Sequence, residues 1–265
     1  MKTGRKLQDP ICSNHPIPAM RPPPLSSRAS LFLDFDGTLV DLAARPDLVV
    51  VPDELPALLQ KLHMSLDGAL ALVSGRALES LDALIAPAYL PAAGVHGAVL
   101  RTAPGHTSTS MHALGDIADC LYQRLQPLTN LVIEDKGAAI AVHYRGAPQR
   151  APEIEAAMRC ALNGHSLEMI SGKFVFELRP RGINKGTAVG ALMATAPFSG
   201  RLPIFVGDDT TDEDGIAVAQ ALGGFGIKVG EGRSAARYRL PDPAAVRGWL
   251  FPGDFPGRLP SEETP

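Results

Sequence analysis

Residues 31–40, which read LFLDFDGTLV, constrain this chain more than any other stretch of its sequence. The apolar residues 31–33 are typical of a buried parallel strand, and Gly37 ends that strand. Asp34 and Asp36 therefore lie where the strand runs out. In an open α/β sheet, ligands bind in the crevice outside the carboxyl ends of the strands. The stretch predicts a ligand site at this edge of a parallel sheet.

Asp34 and Asp36 are the two residues of this stretch whose side chains could take part in a reaction. A strand has a side-chain period of two, so we expect both carboxylates on one side and Phe35 in the core. Two such carboxylates need a cation or a proton between them. Bound Mg²⁺ would leave one carboxylate free to attack phosphorus and the other free to handle protons. A solvated Asp-Gly turn is the alternative, but it does not require both aspartates at this spacing.

Composition excludes several classes of function. The chain has 265 residues, a formal net charge of −3 and 45% hydrophobic residues, which is typical of a globular protein without a nucleic-acid partner. Its three cysteines, Cys12, Cys120 and Cys160, form no Cys-x-x-Cys pair and no disulfide framework. No apolar run reaches the length of a membrane span or of a secretory signal. We expect a cytoplasmic monomer without a membrane partner.

Apolar periodicity predicts an α/β fold built on a parallel sheet. Strand, turn and helix alternate on both sides of the chain's middle third, which favours crossover connections between parallel strands. We predict strands over 69–73, 202–206 and 225–229, and helices over 53–62, 77–85, 187–194, 216–222 and 243–250.

The middle of the chain has a different organisation. A polar segment over 102–112 is typical of a linker, and helix and hairpin patterns then alternate twice. We predict helices over 111–125 and 153–162, and strand pairs over 131–133 with 138–144 and over 167–170 with 173–178. These form an α+β insert with an antiparallel sheet. The predicted domains are a flexible proline-rich leader over 1–28, a core over 29–105 and 183–250, the insert over 106–182 and a loose tail over 251–265.

Other polar residues are predicted at the same edge of the parallel sheet. Ser74 follows the second strand, where its hydroxyl can donate to a phosphate oxygen or cap the next helix. Lys185 begins a helix, where a cation is unfavourable unless it binds an anion. Several acids, among them Asp208, follow the strand over 202–206, which is costly unless they share a cation. His96, between Gly94 and Gly97, is either a packed residue or part of the cleft.

Four motifs together resemble those of the haloacid dehalogenase superfamily of phosphatases. They are Asp34-x-Asp36-Gly37-Thr38, Ser74, Asn184-Lys185-Gly186 and Gly207-Asp208-Asp209-x-x-Asp212. The resemblance implies a Rossmann-like parallel-sheet core with an inserted cap. It also implies that Asp34 is a nucleophile that forms an aspartyl phosphate, that Asp36 is the general acid and base, and that Lys185 and Ser74 stabilise the phosphate charge.

The same resemblance implies a Mg²⁺ site. Its ligands would be Asp34, Asp208 and a main-chain carbonyl at Asp36, with Asp209 and Asp212 as supporting residues.

Within the superfamily, residues 29–250 resemble the trehalose-6-phosphate phosphatases. The similarity lies in the segment over 94–97, the α+β insert, Glu134-x-Lys136-Gly137 and Glu177-x-Arg179-Pro180. It implies Mg²⁺-dependent hydrolysis of trehalose 6-phosphate, with charged cap residues on the distal glucose. The substrate-binding residues it implies are Asp34, Phe35, Asp36, Gly37, Ser74, Gly75, Arg76, His96, Glu134, Lys136 and Glu177.

Three other functions stay open at this point. A phosphatase of another sugar phosphate, such as sucrose phosphate or a mannosyl phosphoglycerate, would use the same core chemistry. A non-catalytic sugar-phosphate sensor would keep the fold, although it has no need for both Asp34 and Asp36. Phosphoryl transfer to another sugar would require an intermediate shielded from water.

Overall fold

A computed structural model describes residues 20–43, 45–103, 106–109, 114–126, 128–162, 165–172 and 174–253. Most of the predicted leader, over 1–19, and most of the predicted tail, over 254–265, lie outside the described residues. No helix within the described ranges is long and apolar enough to cross a membrane.

The helices and strands alternate along most of the chain. The strands are β1 (Ala29–Leu33), β2 (Leu70–Val73), β3 (Ala92–Gly94), β4 (Val99–Ala103), β5 (His106–Thr109), β6 (Val132–Asp135), β7 (Ile140–His143), β8 (Leu167–Gly172), β9 (Val175–Pro180), β10 (Leu202–Gly207), β11 (Phe225–Val229) and β12 (Tyr238–Leu240). The helices are α1 (Leu55–Ser65), α2 (Leu78–Ile85), α3 (Gly115–Leu125), α4 (Ala151–Ala161), α5 (Lys185–Met193), α6 (Asp212–Ala221) and α7 (Pro243–Leu250).

The larger sheet has the strand order β12-β11-β10-β1-β2-β3-β4-β5. Its strands from β12 to β3 are parallel, and β4 and β5 continue the sheet in antiparallel pairing. All five residues of β1 are buried, as expected for a central strand covered on both faces. The predicted parallel α/β core is confirmed. Because β1 lies between β10 and β2, the loops after these three strands meet at one edge.

The smaller sheet has the antiparallel order β6-β7-β9-β8. Together with α3 and α4 it encloses an apolar cluster of its own, which includes Leu121, Ile140, Met158 and Leu178. This is the α+β insert that the sequence predicts between the two parts of the parallel core. In β9, Phe176 and Leu178 belong to that cluster, so the alternating residues face the other side of the sheet.

Three expectations, one about a connecting segment and two about the terminal segments, are wrong. The predicted linker over 102–112 contains β5, which pairs with β4 in the core sheet. Polar residues can form such a strand because one face of an antiparallel edge can be exposed to solvent. Residues 20–28 contact the core rather than forming the end of a flexible leader. The indole Nε1 of Trp249 donates to the Pro23 carbonyl at 2.8 Å, and Leu25 packs on the apolar core. Phe251, assigned to the loose tail, is buried in the same core.

Candidate active site

The predicted polar residues meet at the carboxyl edge of the parallel strands. Asp34 follows β1, Ser74 follows β2 and Asp208 follows β10. Lys185 is the first residue of α5, where the Asn184 side chain accepts from the Thr187 backbone N–H at 2.8 Å. This cap fixes where the helix begins, and it therefore fixes the position of Lys185 beside the strand ends.

Lys185 joins two of the carboxylates. Its ammonium donates to Asp34 Oδ1 and to Asp212 Oδ1, both at 2.7 Å. All three side chains are buried, with relative exposures of 3%, 4% and 0% for Lys185, Asp34 and Asp212. Burial alone would lower the pKa of Lys185, but the charges of Asp212 and Asp34 raise it above its ordinary value. Lys185 is therefore fully charged at neutral pH.

Asp34, Asp208 and Asp212 form a cluster of carboxylates. One oxygen from each lies within 4.8 Å of the others. Burial and the charge of Asp212 raise the pKa of Asp34 well above its ordinary value, and the same two causes raise the pKa of Asp208 to about 6. The charges of Lys185 and Lys228 lower the pKa of Asp208 but do not offset these two causes. The donor set, which consists of close carboxylate oxygens, fits a hard divalent cation.

This cluster contains both predicted carboxylate ligands, Asp34 and Asp208, together with a third carboxylate. Asp212, predicted as a supporting residue, contributes its carboxylate directly. The carboxylate of Asp36 is not part of the cluster and accepts from Arg76. Asp209, the other predicted supporting residue, has an exposed side chain, and its backbone N–H donates to Asp212 Oδ2 at 2.8 Å. Asp212 also begins α6, four residues before the predicted start. Acids are favourable in the first turn of a helix, so the acidic run is part of the helix rather than a loop.

Gly37 and Thr38 allow the carboxylates of Asp34, after β1, and Asp208, after β10, to lie close together. Gly37 has a φ of +77°, and a Cβ atom there would lie 2.3 Å from Asp208 Oδ2. Only glycine therefore allows the close approach of the Asp208 carboxylate. The Thr38 hydroxyl lies 3.5 Å from Asp34 Oδ2 and 3.4 Å from Asp208 Oδ1. Sequence reasoning gave Thr38 no role of its own, although its place in the first motif was the available signal.

Asp36 is held by Arg76. The guanidinium donates from Nε to Asp36 Oδ2 at 2.6 Å and from Nη2 to Asp36 Oδ1 at 2.7 Å. The same side chain donates to the Pro46 carbonyl at 3.1 Å. Arg76 thus fixes the Asp36 carboxylate in a partly buried bidentate pair. Phe35 is fully buried in the core as predicted, so its side chain cannot contact a substrate.

Ser74 is not a helix cap. Its Oγ accepts from the Arg76 backbone N–H at 3.2 Å, whereas the residue before the first turn of α2 is Ala77. The capping alternative is therefore wrong, because the residues between Ser74 and α2 form a separate turn. Ser74 is 1% exposed and lies beside Gly75 and Arg76 at the edge of the sheet.

Residues of the insert reach this edge from the other side. Lys136 donates to the Gly75 carbonyl of the core at 3.1 Å and to Glu177 Oε2 at 2.7 Å. The other oxygen of Glu177 lies 3.6 Å from His96 Nε2. Glu134 pairs with His143 Nε2 at 2.9 Å instead. The structure thus brings Lys136, Glu177 and His96 together above Gly75. It also pairs Glu134 with His143, which belongs to the segment over 143–145 that the family resemblance includes but was not predicted as a substrate-binding residue.

His96 adopts a left-handed backbone conformation with a φ of +54°, which follows a φ of +50° at Val95. Such conformations are unfavourable for these residues and are concentrated at functional sites. Burial and the charges of Lys185, Lys136 and Arg179 hold the pKa of His96 well below its ordinary value. Its Nδ1 is buried without a hydrogen-bond partner among the described residues. His96 is packed against the insert, where its Nε2 lies 3.6 Å from Glu177 Oε1, and its place in a substrate cleft stays a prediction.

Lys228 is a further residue that sequence reasoning missed. It lies in β11 with 5% exposure, and its ammonium donates to the carbonyls of Asp208 and Val229. The available signal was one lysine in the otherwise apolar strand FGIKV.

Comparison with known proteins identifies the family of this chain. A family model described as trehalose-phosphatase matches residues 32–244. The trehalose-6-phosphate phosphatase of Escherichia coli is 42% identical over 238 residues, which are 88% of this chain and 89% of that protein. A probable trehalose-phosphate phosphatase of Sinorhizobium fredii is 44% identical over 231 residues, 83% of this chain and 85% of that protein.

Solved structures agree with this result. The crystal structure of a trehalose-6-phosphate phosphatase related protein superposes with a TM-score of 0.70 at 27% identity, over 83% of this chain and 94% of that one. A haloacid dehalogenase-like hydrolase from Bacteroides thetaiotaomicron, at 16% identity and a TM-score of 0.63, shares the fold over 83% of this chain and 97% of that one. The chain belongs to the trehalose-phosphatase family.

Proposed function

We propose that this protein is a phosphatase that hydrolyses trehalose 6-phosphate to trehalose and inorganic phosphate. One observation carries the proposal. Lys136 of the insert donates to the Gly75 carbonyl of the core, next to the residues suited to phosphoryl transfer, and it also pairs with Glu177 of the insert. A phosphate on the core and a sugar under the insert can therefore be bound at the same time. The names of the two relatives described above support trehalose 6-phosphate as the substrate.

In the first step, an Asp34 oxygen attacks phosphorus and the bond from phosphorus to the sugar oxygen breaks. Asp36 supplies the proton that the leaving sugar oxygen needs. In the second step, water attacks the aspartyl phosphate, Asp36 takes its proton, and Asp34 is regenerated. Lys185 and Ser74 stabilise the charge on the phosphoryl oxygens. When the substrate phosphate draws the guanidinium of Arg76 away from Asp36, Asp36 is free to carry a proton.

We propose Mg²⁺ as the cation of the carboxylate cluster. Asp34, Asp208 and Asp212 would hold it, with the main-chain carbonyl at Asp36 as a further ligand. When bound, it offsets the repulsion between the nucleophilic carboxylate and the phosphate. The raised pKa of Asp208, to about 6, supports this assignment, because burial and then the charge of Asp212 both disfavour a carboxylate that has no cation beside it.

The insert acts as a cap in this proposal. Its predicted sugar-binding residues are Glu134, Lys136 and Glu177, with His96 below them on the core. In the register of the sheet, Ala141 lies opposite both Glu134 and Glu177, so a small side chain separates the two carboxylates. Charged groups paired with one another can exchange those partners for sugar hydroxyls, since both kinds of hydrogen bond are charge-assisted. Closure of the cap over the phosphate would exclude water.

The proposal is tested by phosphate release from a panel of sugar phosphates. The panel contains trehalose 6-phosphate, sucrose 6-phosphate, mannosyl phosphoglycerate and glucose 6-phosphate, each with and without Mg²⁺, and Asp34→Asn is measured alongside. We expect strong selectivity for trehalose 6-phosphate that is lost in the variant. Selective turnover of another sugar phosphate would contradict the substrate but keep the chemistry. No turnover on any member of the panel would favour the sugar-phosphate sensor.

A further inference from the structure

Lys228 is buried in a strand that is otherwise apolar. All five residues of β11 are buried, and Lys228 is 5% exposed. A buried ammonium is costly unless its hydrogen bonds are satisfied. Its Nζ donates to the carbonyl of Asp208 and, at 2.8 Å, to the carbonyl of Val229. The proposed reaction uses Asp34, Asp36, Lys185 and Ser74 and gives this lysine no role.

The carbonyl of Asp208 and the N–H of Asp209 belong to one planar peptide unit. Lys228 holds the carbonyl of that unit, and Asp212 Oδ2 accepts from its N–H at 2.8 Å. The other oxygen of Asp212 accepts from Lys185 at 2.7 Å, and Lys185 donates to Asp34 at 2.7 Å. A continuous set of hydrogen bonds therefore runs from β11 to the proposed nucleophile, with the peptide between Asp208 and Asp209 held at both ends.

We propose that Lys228 is a positioning residue for the cation site. By fixing the peptide that follows Asp208, it orients the carboxylates of Asp208 and Asp212 toward one bound divalent cation. This inference rests on the proposed function, since it takes the same three carboxylates as the cation ligands.

Two possible roles of Lys228 predict effects of opposite sign on cation affinity. As a positive charge near the site, Lys228 repels a cation, so its neutralisation alone would strengthen binding. As a hydrogen-bond donor that holds the peptide, its loss would let the two carboxylates turn and would weaken binding. The direction of the change in Kd therefore separates a positioning role from a purely electrostatic one.

The experiment measures Mg²⁺ binding to the full chain by calorimetry, without substrate, for the wild type, Lys228→Met and Lys61→Met. Lys61→Met is the matched control because it removes the charge of an exposed lysine on α1. We expect the Kd of Lys228→Met to rise by about 10- to 100-fold, which is the usual effect of losing a group that orients a metal ligand. The Kd of Lys61→Met should match that of the wild type. An unchanged or lower Kd in Lys228→Met would overturn the proposal.

A second variant covers the case in which Lys228→Met does not give a cooperative thermal transition. Lys228→Gln keeps a shorter neutral donor, and we expect its Kd to rise by at least several-fold; an unchanged or lower Kd again overturns the proposal. No Mg²⁺ binding by the wild type would overturn it as well. Failure of the proposed function has a different signature, namely a wild type that binds Mg²⁺ but releases no phosphate from trehalose 6-phosphate.

Discussion

The ammonium of Lys185 lies 2.7 Å from the carboxylate of Asp34, although 151 residues separate them in sequence. Both side chains are almost fully buried, so this pair is shielded from solvent. Burial and the charge of Asp212 raise the pKa of Asp34, and the charge and hydrogen bond of Lys185 act in the opposite direction, toward the ionised form. An ionised carboxylate is what a nucleophile at phosphorus requires.

The first prediction concerns Asp34→Asn. An amide cannot form the aspartyl phosphate, so we expect phosphate release to fall by a factor on the order of 10⁴ or more. The melting temperature measured without Mg²⁺ should not fall, because the substitution removes one of three mutually repelling carboxylates. Asp53→Asn, at an exposed position before α1, is the control and should keep full activity. Turnover by Asp34→Asn close to that of the control would contradict the assigned nucleophile.

The second prediction concerns Arg76→Lys. Lysine keeps the charge but cannot make both parallel hydrogen bonds to Asp36 and also reach the Pro46 carbonyl. We expect kcat/KM for trehalose 6-phosphate to fall by about 10- to 100-fold with little change in melting temperature. The matched control is Arg45→Lys, whose exposed pair with Asp47 has the same bidentate form. Equal effects of the two substitutions would show that the bidentate pair with Asp36 has no part in turnover.

The third prediction concerns Glu177→Gln and separates sugar recognition from chemistry. The variant loses the ion pair with Lys136, so we expect KM for trehalose 6-phosphate to rise by roughly 10-fold or more. Hydrolysis of p-nitrophenyl phosphate, which has no sugar, should change by less than about threefold. Glu153→Gln on the outer helix α4 replaces an exposed partner of Arg150 and serves as the control. Parallel losses on both substrates would indicate a structural role for Glu177.

The fourth prediction concerns pH and stability. The pKa of His96 lies well below 6.5 in the folded state, so the unfolded chain takes up this proton first as the pH falls. The free energy of unfolding contributed by neutral His96 is therefore fully present above pH 6.5 and is lost as the pH falls from there toward the folded pKa.

The measurement compares wild type with His96→Asn, because asparagine tolerates the left-handed backbone. Between pH 7.5 and 5.5, the wild type should lose about 1 kcal/mol more of its free energy of unfolding than the variant. The exposed His106 provides the control substitution His106→Asn, which should follow the wild type. Identical pH dependence of wild type and His96→Asn would contradict a neutral buried His96.

The fifth prediction concerns removal of the cation. A chelator should reduce phosphate release to background, and Mg²⁺ should restore it. Mg²⁺ at about 100 times its Kd should add about 2.7 kcal/mol to the free energy of unfolding, because only the folded chain assembles the three carboxylates. Asp208→Asn should show a much smaller shift in melting temperature with Mg²⁺. A chelator-resistant wild type would rule out the proposed cation.

The local pattern of apolar residues and start signals was sufficient to predict most of the helices and strands. The strand over 225–229 and the helix over 243–250 have the predicted bounds, since an apolar run and an Asp-Pro start signal are local. The start of α6 at Asp212 was missed because an acidic run is compatible with both a loop and a first helical turn. The antiparallel strand β5 was missed because its polar residues gave no apolar period.

The sequence by itself determined which reactive side chains lie at the ends of strands. Strand periodicity and parallel topology place Asp34, Ser74 and Asp208 at one edge of the sheet. Only the tertiary structure decided which of them pair. Arg76 with Asp36, Lys136 with Gly75, and Lys228 with the peptide after Asp208 are contacts between distant segments. Such contacts depend on side-chain direction and on how two sheets approach each other, and no local period encodes either.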